Sequence, residues 1–209
     1  MMNDKQTLED RTVQTYDAMA VEWAKSHSSN DEWDNEIALF KKLLPSGKIL
    51  EVGCGGGRDA QRLVKQGFEY LGTDASRGMI EVAQSEVPSA SFEQLSVYDL
   101  ATLPTKFDGF WACAVLLHIP KQRIDEALQS INSTLRPGAF GMISMKAGDK
   151  EEFEIRDKNG RHEERLFAYW KKDDFIAALE RNGFKLRQYS YRPVSTRTNW
   201  QIYFVEKQK

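Results

Sequence analysis

Short apolar segments alternate with amphipathic segments along most of the chain from about residue 48 onward. Five segments have the continuous apolar character of buried strands: residues 48–54, 69–74, 91–97, 107–115 and 139–145. Between them, apolar side chains recur at helical spacing in three segments: residues 58–66, 76–86 and 121–136. This alternation predicts an α/β fold with a parallel sheet, right-handed crossovers and helices on both faces.

Two regions lie outside this alternation. Helical patterns at 13–24 and 33–44 precede the first strand, and we expect residues 1–45 to form an N-terminal helical lid. After the fifth strand, two polar strand patterns flank Asn159-Gly160, a pair of residues that favours a tight β-turn. The pattern therefore predicts a small hairpin insertion at residues 150–170.

The C-terminal part of the chain completes the sheet. A helix at 173–182 is followed by two strands, 184–192 and 200–206. Their short connection permits only antiparallel pairing, because a parallel crossover requires about a dozen residues. We therefore predict a reversed last strand. All 209 residues are expected to form one domain, which consists of the lid, the hairpin and two further parts, 46–148 and 171–209.

The composition is that of an ordinary folded protein, with 41% hydrophobic and 29% charged residues. No apolar run approaches the ~20 residues of a membrane-spanning helix, and the polar start lacks the apolar stretch of a signal peptide. The two cysteines, Cys54 and Cys113, have neither metal-site nor redox-motif spacing. We therefore expect a cytoplasmic protein without a bound metal or a membrane partner.

The net charge of −2 conceals an uneven distribution of charged residues. Residues 1–149 carry 15 basic and 21 acidic side chains, whereas residues 150–209 carry 14 basic and 10 acidic ones. No strongly basic face is indicated, so we expect no nucleic-acid partner. The five basic residues from Arg181 to Arg197 favour either a solvated face or contact with an anionic metabolite.

The strongest chemical signal is a glycine-rich turn between the first predicted strand and the following helix. An acid is followed by glycine at every second position: Glu51, Gly53, Gly55 and Gly57. Glycines let the backbone approach a ligand closely, and the start of a helix offers free amide donors. A dinucleotide fingerprint would place its third glycine where Arg58 stands. The pattern therefore indicates a nucleotide-like ligand other than a nicotinamide dinucleotide.

Two acids follow the second and third predicted strands at the same edge of the sheet. Asp74 follows Gly53 by about the spacing at which nucleotide-binding folds place a carboxylate on ribose hydroxyls. A helix N-cap is the other interpretation of Asp74. Asp99 stands where a carboxylate can accept a hydrogen bond from an adenine amino group, and is otherwise a turn residue. Together with the glycine turn, the two acids predict an adenosine-containing ligand.

These segments resemble the motifs of the class I S-adenosylmethionine-dependent methyltransferases. The similarity covers nearly the whole chain and follows the order of that family's motifs: residues 49–57, 70–76, 97–104, 107–120 and 135–139. Residues 16–23 are similar to the helical lid of small-molecule members. The resemblance implies a Rossmann-like sheet with a reversed last strand, S-adenosyl-L-methionine as cofactor and S-adenosyl-L-homocysteine as product.

The resemblance also implies roles for individual residues. The methionine and ribose part of the cofactor is expected against the glycine turn, at Gly53, Cys54, Gly55 and Gly57, with Asp74 on the ribose hydroxyls. The adenine is expected against Met79, Tyr98 and Asp99, and the sulfonium against Cys113 and Ala114. Met79 also fits a helical apolar stripe and is otherwise a core residue. Further candidates for the cofactor site are Tyr16, Arg58 and Ala75.

A sulfonium methyl is already electrophilic, so such an enzyme chiefly orients the acceptor and excludes water. His118, after the fourth strand, is the candidate general base, and a packed or turn-stabilising histidine is the alternative. As a base it would have to be neutral, so turnover would fall as the pH drops through about 6.5. His27 and His162 are weaker candidates. Candidates for an aromatic wall around the acceptor are Tyr16, Trp23, Tyr169 and Trp170, with ordinary packing as the alternative for at least half of them.

The fourth motif disfavours one class of acceptor. Enzymes that methylate amino groups of nucleic-acid bases often carry Asp/Asn-Pro-Pro-aromatic there, whereas Asp108-Gly109-Phe110-Trp111 contains no proline. We therefore expect in-line transfer of the methyl group to a small-molecule acceptor. Two other functions stay open: methylation of a macromolecule (protein, tRNA or rRNA) and non-catalytic binding of S-adenosylmethionine.

Overall fold

A computed structural model describes residues 4–27, 33–158, 161–195 and 198–208. Its helices are α1 (Asp4–His27), α2 (Asp34–Leu43), α3 (Arg58–Lys65), α4 (Arg77–Glu86), α5 (Ile124–Ser133) and α6 (Lys172–Arg181). Its strands are β1 (Lys48–Val52), β2 (Glu69–Asp74), β3 (Ser91–Gln94), β4 (Phe107–Cys113), β5 (Leu135–Lys146), β6 (Glu151–Lys158), β7 (Arg161–Ala168), β8 (Phe184–Pro193) and β9 (Asn199–Lys207). Short 3-10 turns lie at Val97–Thr102, Leu116–His118 and Lys121–Arg123.

Seven of the described strands form one sheet in the order β3-β2-β1-β4-β5-β9-β8. The pairs among β1 to β5 are parallel, whereas β9 runs antiparallel to both β5 and β8. The central strands are buried on both faces, as parallel strands covered by helices must be. The predicted α/β, Rossmann-like class with a reversed last strand is confirmed.

The second N-terminal helix belongs to the core and not to the lid that the sequence pattern assigns to residues 1–45. The Phe40 side chain is fully buried, and its ring lies 5.6 Å from both the Phe68 and Trp111 rings. Ile37 lies one helical turn earlier and is also buried. This short apolar stripe holds α2 against the sheet.

Several strand boundaries differ from the predicted ones. The third strand ends at Gln94, because the following residues form a 3-10 turn in which the Ser96 hydroxyl accepts from the Tyr98 amide. The fourth strand ends at Cys113, since Ala114 adopts φ +55° and leaves the extended conformation. The fifth strand begins earlier than predicted, at Leu135, and its pairing with β4 is irregular near its start.

The predicted hairpin is present as a separate two-stranded sheet of β6 and β7, paired in register from Glu151↔Ala168 onward. Its predicted turn, Asn159-Gly160, lies outside the described residues. None of the helices in the described part of the chain combines the length and the apolar character that crossing a membrane requires.

Candidate active site

A large cavity lies at the carboxyl ends of the parallel strands, covered by α1 on one side and by the β6–β7 hairpin on another. Its volume of about 2100 Å³ exceeds the roughly 300–1,000 Å³ of common small-molecule pockets, so it has room for two molecules. The cofactor-site candidates and His118 all line it: Tyr16, Gly53, Cys54, Gly55, Gly57, Arg58, Asp74, Ala75, Met79, Tyr98, Asp99, Cys113, Ala114 and His118.

The glycine turn is shaped by close contact at one position and by openness at another. Gly53, at φ +70°, donates its amide to the Thr73 carbonyl at 2.8 Å, and a Cβ there would lie 2.3 Å from Val115 Cγ2. Gly55, at φ +52°, has nothing within 4 Å of the position a Cβ would take. The turn therefore packs closely against Val115 at Gly53 and is open at Gly55, where a ligand can approach the backbone.

The Asp74 carboxylate joins the glycine turn to the start of α4. One oxygen accepts from the Gly55 amide and the other from the Ser76 amide, each at 2.9 Å. The N-cap of α4 is Ser76, whose hydroxyl accepts from Met79, so the N-cap interpretation of Asp74 is wrong. Burial raises the pKa of Asp74 despite these two amide donors. Each carboxylate oxygen keeps a second lone pair with which it can accept a further hydrogen bond.

A buried polar network supports the turn from beneath. The Tyr70 hydroxyl donates to Glu51, which is only 2% exposed, and burial raises the pKa of that carboxyl well above its usual range. Asp59 accepts from Arg58 Nε at 2.7 Å and from Trp111 Nε1 at 3.0 Å. Arg58 is thus held against the sheet by its neighbour, and its guanidinium lies at the wall of the cavity.

The predicted adenine end is tied to α1. Tyr98 donates its hydroxyl to Glu9, and its ring lies 3.6 Å from the Arg123 guanidinium carbon. Arg123 in turn donates to Glu9 at 2.9 Å. Met79 is almost fully buried yet lines the cavity, whereas Asp99 is exposed at its rim. The sequence offered no signal for Glu9, because an acidic side chain in a helix rich in charged residues normally faces solvent.

The two cysteines lie in the cavity wall without being set up as nucleophiles. Burial raises the pKa of the Cys54 and Cys113 thiols well above the usual range, so both stay protonated near neutral pH. Beyond β4, the Ala114 amide donates to Ser144 Oγ at 2.8 Å, which fixes the backbone where the sulfonium is predicted. Within the described residues, no group of three or more potential metal ligands comes together.

His118 is hydrogen-bonded through both ring nitrogens. Nδ1 lies 2.6 Å from the Leu166 carbonyl, which can only accept, so Nδ1 carries the proton. Nε2 therefore accepts from the Tyr16 hydroxyl at 2.9 Å. Burial lowers the pKa of His118 to about 3, and the predicted fall in turnover near pH 6.5 is not expected from this residue. The geometry favours the positioning role over that of a general base.

The same strand edge that His118 contacts is also capped by α1. Thr12 Oγ1 accepts from the Leu166 amide at 2.9 Å. Thr15 Oγ1 accepts from the Glu164 amide at 3.0 Å and donates to the Glu164 carbonyl at 2.9 Å. We call this set of bonds at Glu164 and Leu166 the β7-edge joint. The β7-edge joint holds α1, the β6–β7 hairpin and the turn that contains His118 together above the cavity.

At its other side, α1 is fixed to the cofactor half of the fold. The Asp17 carboxylate accepts from the Ser76 hydroxyl at 2.6 Å and from the Gly78 amide at 2.9 Å, at the N-terminus of α4. An acid at this place also complements the helix dipole. Helix α1 therefore bridges the predicted ribose site and the hairpin.

Aromatic rings wall the part of the cavity nearest the hairpin. Tyr16 contacts Trp23, with ring centroids 5.4 Å apart, and His118 contacts Phe167 at 5.0 Å. Tyr169 lines the cavity as predicted, but Trp170 does not: its ring packs on Phe175 at 5.5 Å.

The remaining histidines differ in position. His27 stacks on Trp23 at the cavity edge, with ring centroids 3.9 Å apart. His162 lies on the outside of the hairpin, where it contacts Asp157 and Glu164 at 3.0 Å each. Phe167, which contributes to the aromatic wall, was missed because its strand is too polar to indicate a ligand-facing side.

Residues 49–138 match a family model described as a methyltransferase domain. The match runs from β1 through β4 and into the start of β5, so it contains the glycine turn, Asp74 and His118. Residues 49–138 belong to the methyltransferase-domain family. The resemblance drawn from the motifs of the sequence is thereby confirmed.

The relatives of this chain include proteins that are named for different acceptors. Methyltransferase GfsG of Streptomyces halstedii is 37% identical over 109 residues, which are 48% of this chain and 38% of GfsG. A demethylmenaquinone methyltransferase of Symbiobacterium thermophilum is 28% identical over 200 residues, 87% of this chain and 73% of that protein. A tRNA (carboxymethyluridine(34)-5-O)-methyltransferase of Arabidopsis thaliana is 27% identical over 148 residues, 68% of this chain and 34% of that protein.

The chain spans about half the length, or less, of several curated relatives that it matches, among them 52% of YqeM of Bacillus subtilis. Among solved structures, the fold resembles the 1,6-didemethyltoxoflavin-N1-methyltransferase of Burkholderia thailandensis, crystallised with 1,6-didemethyltoxoflavin and S-adenosylhomocysteine. The TM-score is 0.77 at 16% identity, over 100% of this chain and 92% of that one. At this identity the likeness concerns the fold, including the parts outside residues 49–138.

The buried, neutral state of His118 predicts a pH dependence of stability. Below pH ~6.5 an unfolded histidine takes up a proton that folded His118, with a pKa of about 3, does not, so the free energy of unfolding falls as the pH drops. Replacing this residue by glutamine (His118→Gln) should make that fall shallower, as measured by urea unfolding between about pH 4.5 and 7.5.

His162→Gln is the matched control with the opposite sign. Contacts with Asp157 and Glu164 raise the pKa of His162, so its contribution to stability is present at low pH and lost as the pH rises. Its removal should therefore make the fall on acidification steeper. If the free energy of unfolding of His118→Gln fell with the pH as steeply as that of the wild type, the buried neutral state of His118 would be contradicted.

Proposed function

We propose that the protein is an S-adenosylmethionine-dependent methyltransferase that methylates a small-molecule acceptor and releases S-adenosylhomocysteine. The observation that carries the proposal is the position of Asp74. Its carboxylate is bound to the open glycine turn at Gly55 and faces a cavity with room for a cofactor and a second molecule. Family membership over residues 49–138 supports the same reaction.

The residues at the cavity fit this cofactor. Asp74 has lone pairs left for two ribose hydroxyls, and the open space beside Gly55 leaves room for the ligand along the turn. Buried Met79 offers an apolar surface to the adenine. Cys113 ends β4 and Ala114 follows it where the sulfonium would lie, and Ser144 Oγ accepts from the Ala114 amide. When bound, S-adenosylmethionine supplies a methyl group that is already electrophilic.

The chain's own residues then have two tasks, to orient the acceptor and to exclude water. Orientation falls to the aromatic wall of Tyr16, Phe167 and Tyr169, held in place by the His118 ring between Tyr16 and Leu166. Exclusion of water falls to α1 and the hairpin, fixed to each other by the β7-edge joint. His118 serves as a positioning residue in this reaction, because both its nitrogens are engaged.

A small acceptor is favoured by the lining of the site. Aromatic side chains of α1 and the hairpin, Tyr16, Phe167 and Tyr169, line the cavity, and aromatic lining is typical of small-molecule sites. A relative named for demethylmenaquinone methylation points in the same direction. The tRNA methyltransferase among the relatives supports the alternative, a macromolecular acceptor.

The test is transfer of a deuterium-labelled methyl group from S-adenosylmethionine to three separate substrates: a low-molecular-mass cell extract, total tRNA and a protein extract. We expect mass spectrometry to find the label in the low-molecular-mass fraction. Label only in tRNA or protein would replace the small-molecule proposal by the macromolecular one. Cofactor binding without transfer to any fraction would contradict the enzymatic proposal.

Removal of the Asp74 carboxylate (Asp74→Ala) should weaken binding of S-adenosylhomocysteine by about 1.5–3 kcal/mol, the scale of hydrogen bonds to a charged group. Isothermal titration calorimetry measures the change, and circular dichroism checks that the variant is folded. Asp173→Ala, on the exposed side of α6, is the matched control and should bind like the wild type. Unchanged affinity in Asp74→Ala would contradict the ribose role.

A further inference from the structure

Lys146 ends β5 at the wall of the cavity, close to the place proposed for methyl transfer. Ser144 lies two residues earlier, pairs with Cys113, and holds the Ala114 amide at 2.8 Å. Because side chains alternate along a strand, Lys146 projects from the same face as Ser144, about 7 Å farther along. Its ammonium therefore lies just beyond the residues proposed to face the sulfonium, on the side of the hairpin.

The other cations of this wall are paired with carboxylates. Lys150 contacts Glu152 at 2.6 Å, and Arg165 contacts Glu163 at 3.0 Å. Arg156 is likewise paired with Glu154. Within each of these pairs the opposite charges largely neutralise each other, so the pairs leave little charge with which to bind a ligand.

Lys146 is different. Its ammonium lies 3.7 Å from the centroid of the Phe167 ring and 5.6 Å from that of Tyr169. Within the described ranges of the chain, no carboxylate lies within ion-pair distance of it. Aromatic faces attract a cation more weakly than a carboxylate does, so a half-buried ammonium among them keeps its capacity to bind an anion.

We propose that Lys146 binds the anionic group of the acceptor, and that the acceptor is a small planar acid such as an aromatic carboxylate. This inference rests on the proposed function and specifies its substrate class. Lys146 binds the negative charge of the acceptor. The flat ring of the acceptor packs against the aromatic rings of Tyr16, Phe167 and Tyr169. A charge-assisted contact to one end would fix which atom of the acceptor faces the methyl group.

The charge on Lys146 sets a pH limit to this recognition. Burial and the nearby Arg165 and Arg156 lower the pKa of Lys146 to about 8, against the opposing effect of Glu154 and Glu152. The ammonium is therefore charged at pH 7 and loses its proton as the pH rises through about 8. Two neighbours keep their state over this range, because the pKa of Tyr169 is raised to about 12 and that of His118 is lowered to about 3.

The test uses a matched pair of probes, naphthalene-2-carboxylate and naphthalene-2-carboxamide, titrated calorimetrically into the protein saturated with S-adenosylhomocysteine. We expect the carboxylate to bind about tenfold or more tightly than the amide at pH 7. Lys146→Met should abolish this preference and Lys146→Arg should keep it. Above pH 8 the preference should fall in the wild type and persist in Lys146→Arg.

Lys172→Met is the matched control, because the Lys172 ammonium also lies over an aromatic ring, Tyr189 at 4.7 Å, but outside the cavity. It should behave as the wild type. Equal binding of the two probes, binding of neither, or a preference that survives in Lys146→Met would overturn the inference. Titration of S-adenosylhomocysteine alone separates the role of Lys146 from the proposed function. If S-adenosylhomocysteine does not bind, the proposed function itself is contradicted.

Discussion

The cover of the cavity depends on how the free edge of β7 is closed. An unpaired strand edge in a buried place leaves amide and carbonyl groups without partners, which is costly. Here no further strand is present at that edge among the described residues, and side chains take its place. Thr12 and Thr15 of α1 pair with Leu166 and Glu164, and His118 pairs with the Leu166 carbonyl. Three segments distant in sequence are thereby fixed as one unit.

This joint explains properties of the site that would otherwise look unrelated. Burial keeps His118 neutral, and its one proton lies on Nδ1 because the Leu166 carbonyl offers only an acceptor. Nε2 is then left to orient Tyr16, whose ring forms part of the aromatic wall. The same helix carries Asp17 to the start of α4, so the acceptor and cofactor sides of the cavity are connected through α1.

Local signals in the sequence were sufficient for the sheet and for the glycine turn. Alternating strand and helix patterns gave the parallel core, a short connection gave the reversed strand, and the spacing from Gly53 to Asp74 placed a carboxylate beside the turn. These features depend on near neighbours in the chain. The candidates that they identified all line one cavity.

Features that depend on tertiary packing were beyond such signals. The pKa of His118 follows from burial beneath α1 and β7, which lie about 100 and 50 residues away in sequence. The place of α2 in the core follows from the contact of Phe40 with Phe68 and Trp111. In the sequence Lys146 is an ordinary residue at the end of a strand, and only the tertiary structure places its ammonium against the rings of Phe167 and Tyr169.

Hydrogen exchange at the Glu164 and Leu166 amides tests most directly whether α1 holds the hairpin over the cavity. In Thr12→Val/Thr15→Val the side chains keep their shape but lose the hydroxyl acceptors, and Thr102→Val, in an exposed turn, is the control. NMR should find both amides protected in the wild type and the control, and exchanging about tenfold or more faster in the double variant, with the Trp111 amide unchanged. Equal protection in all three proteins would contradict the joint.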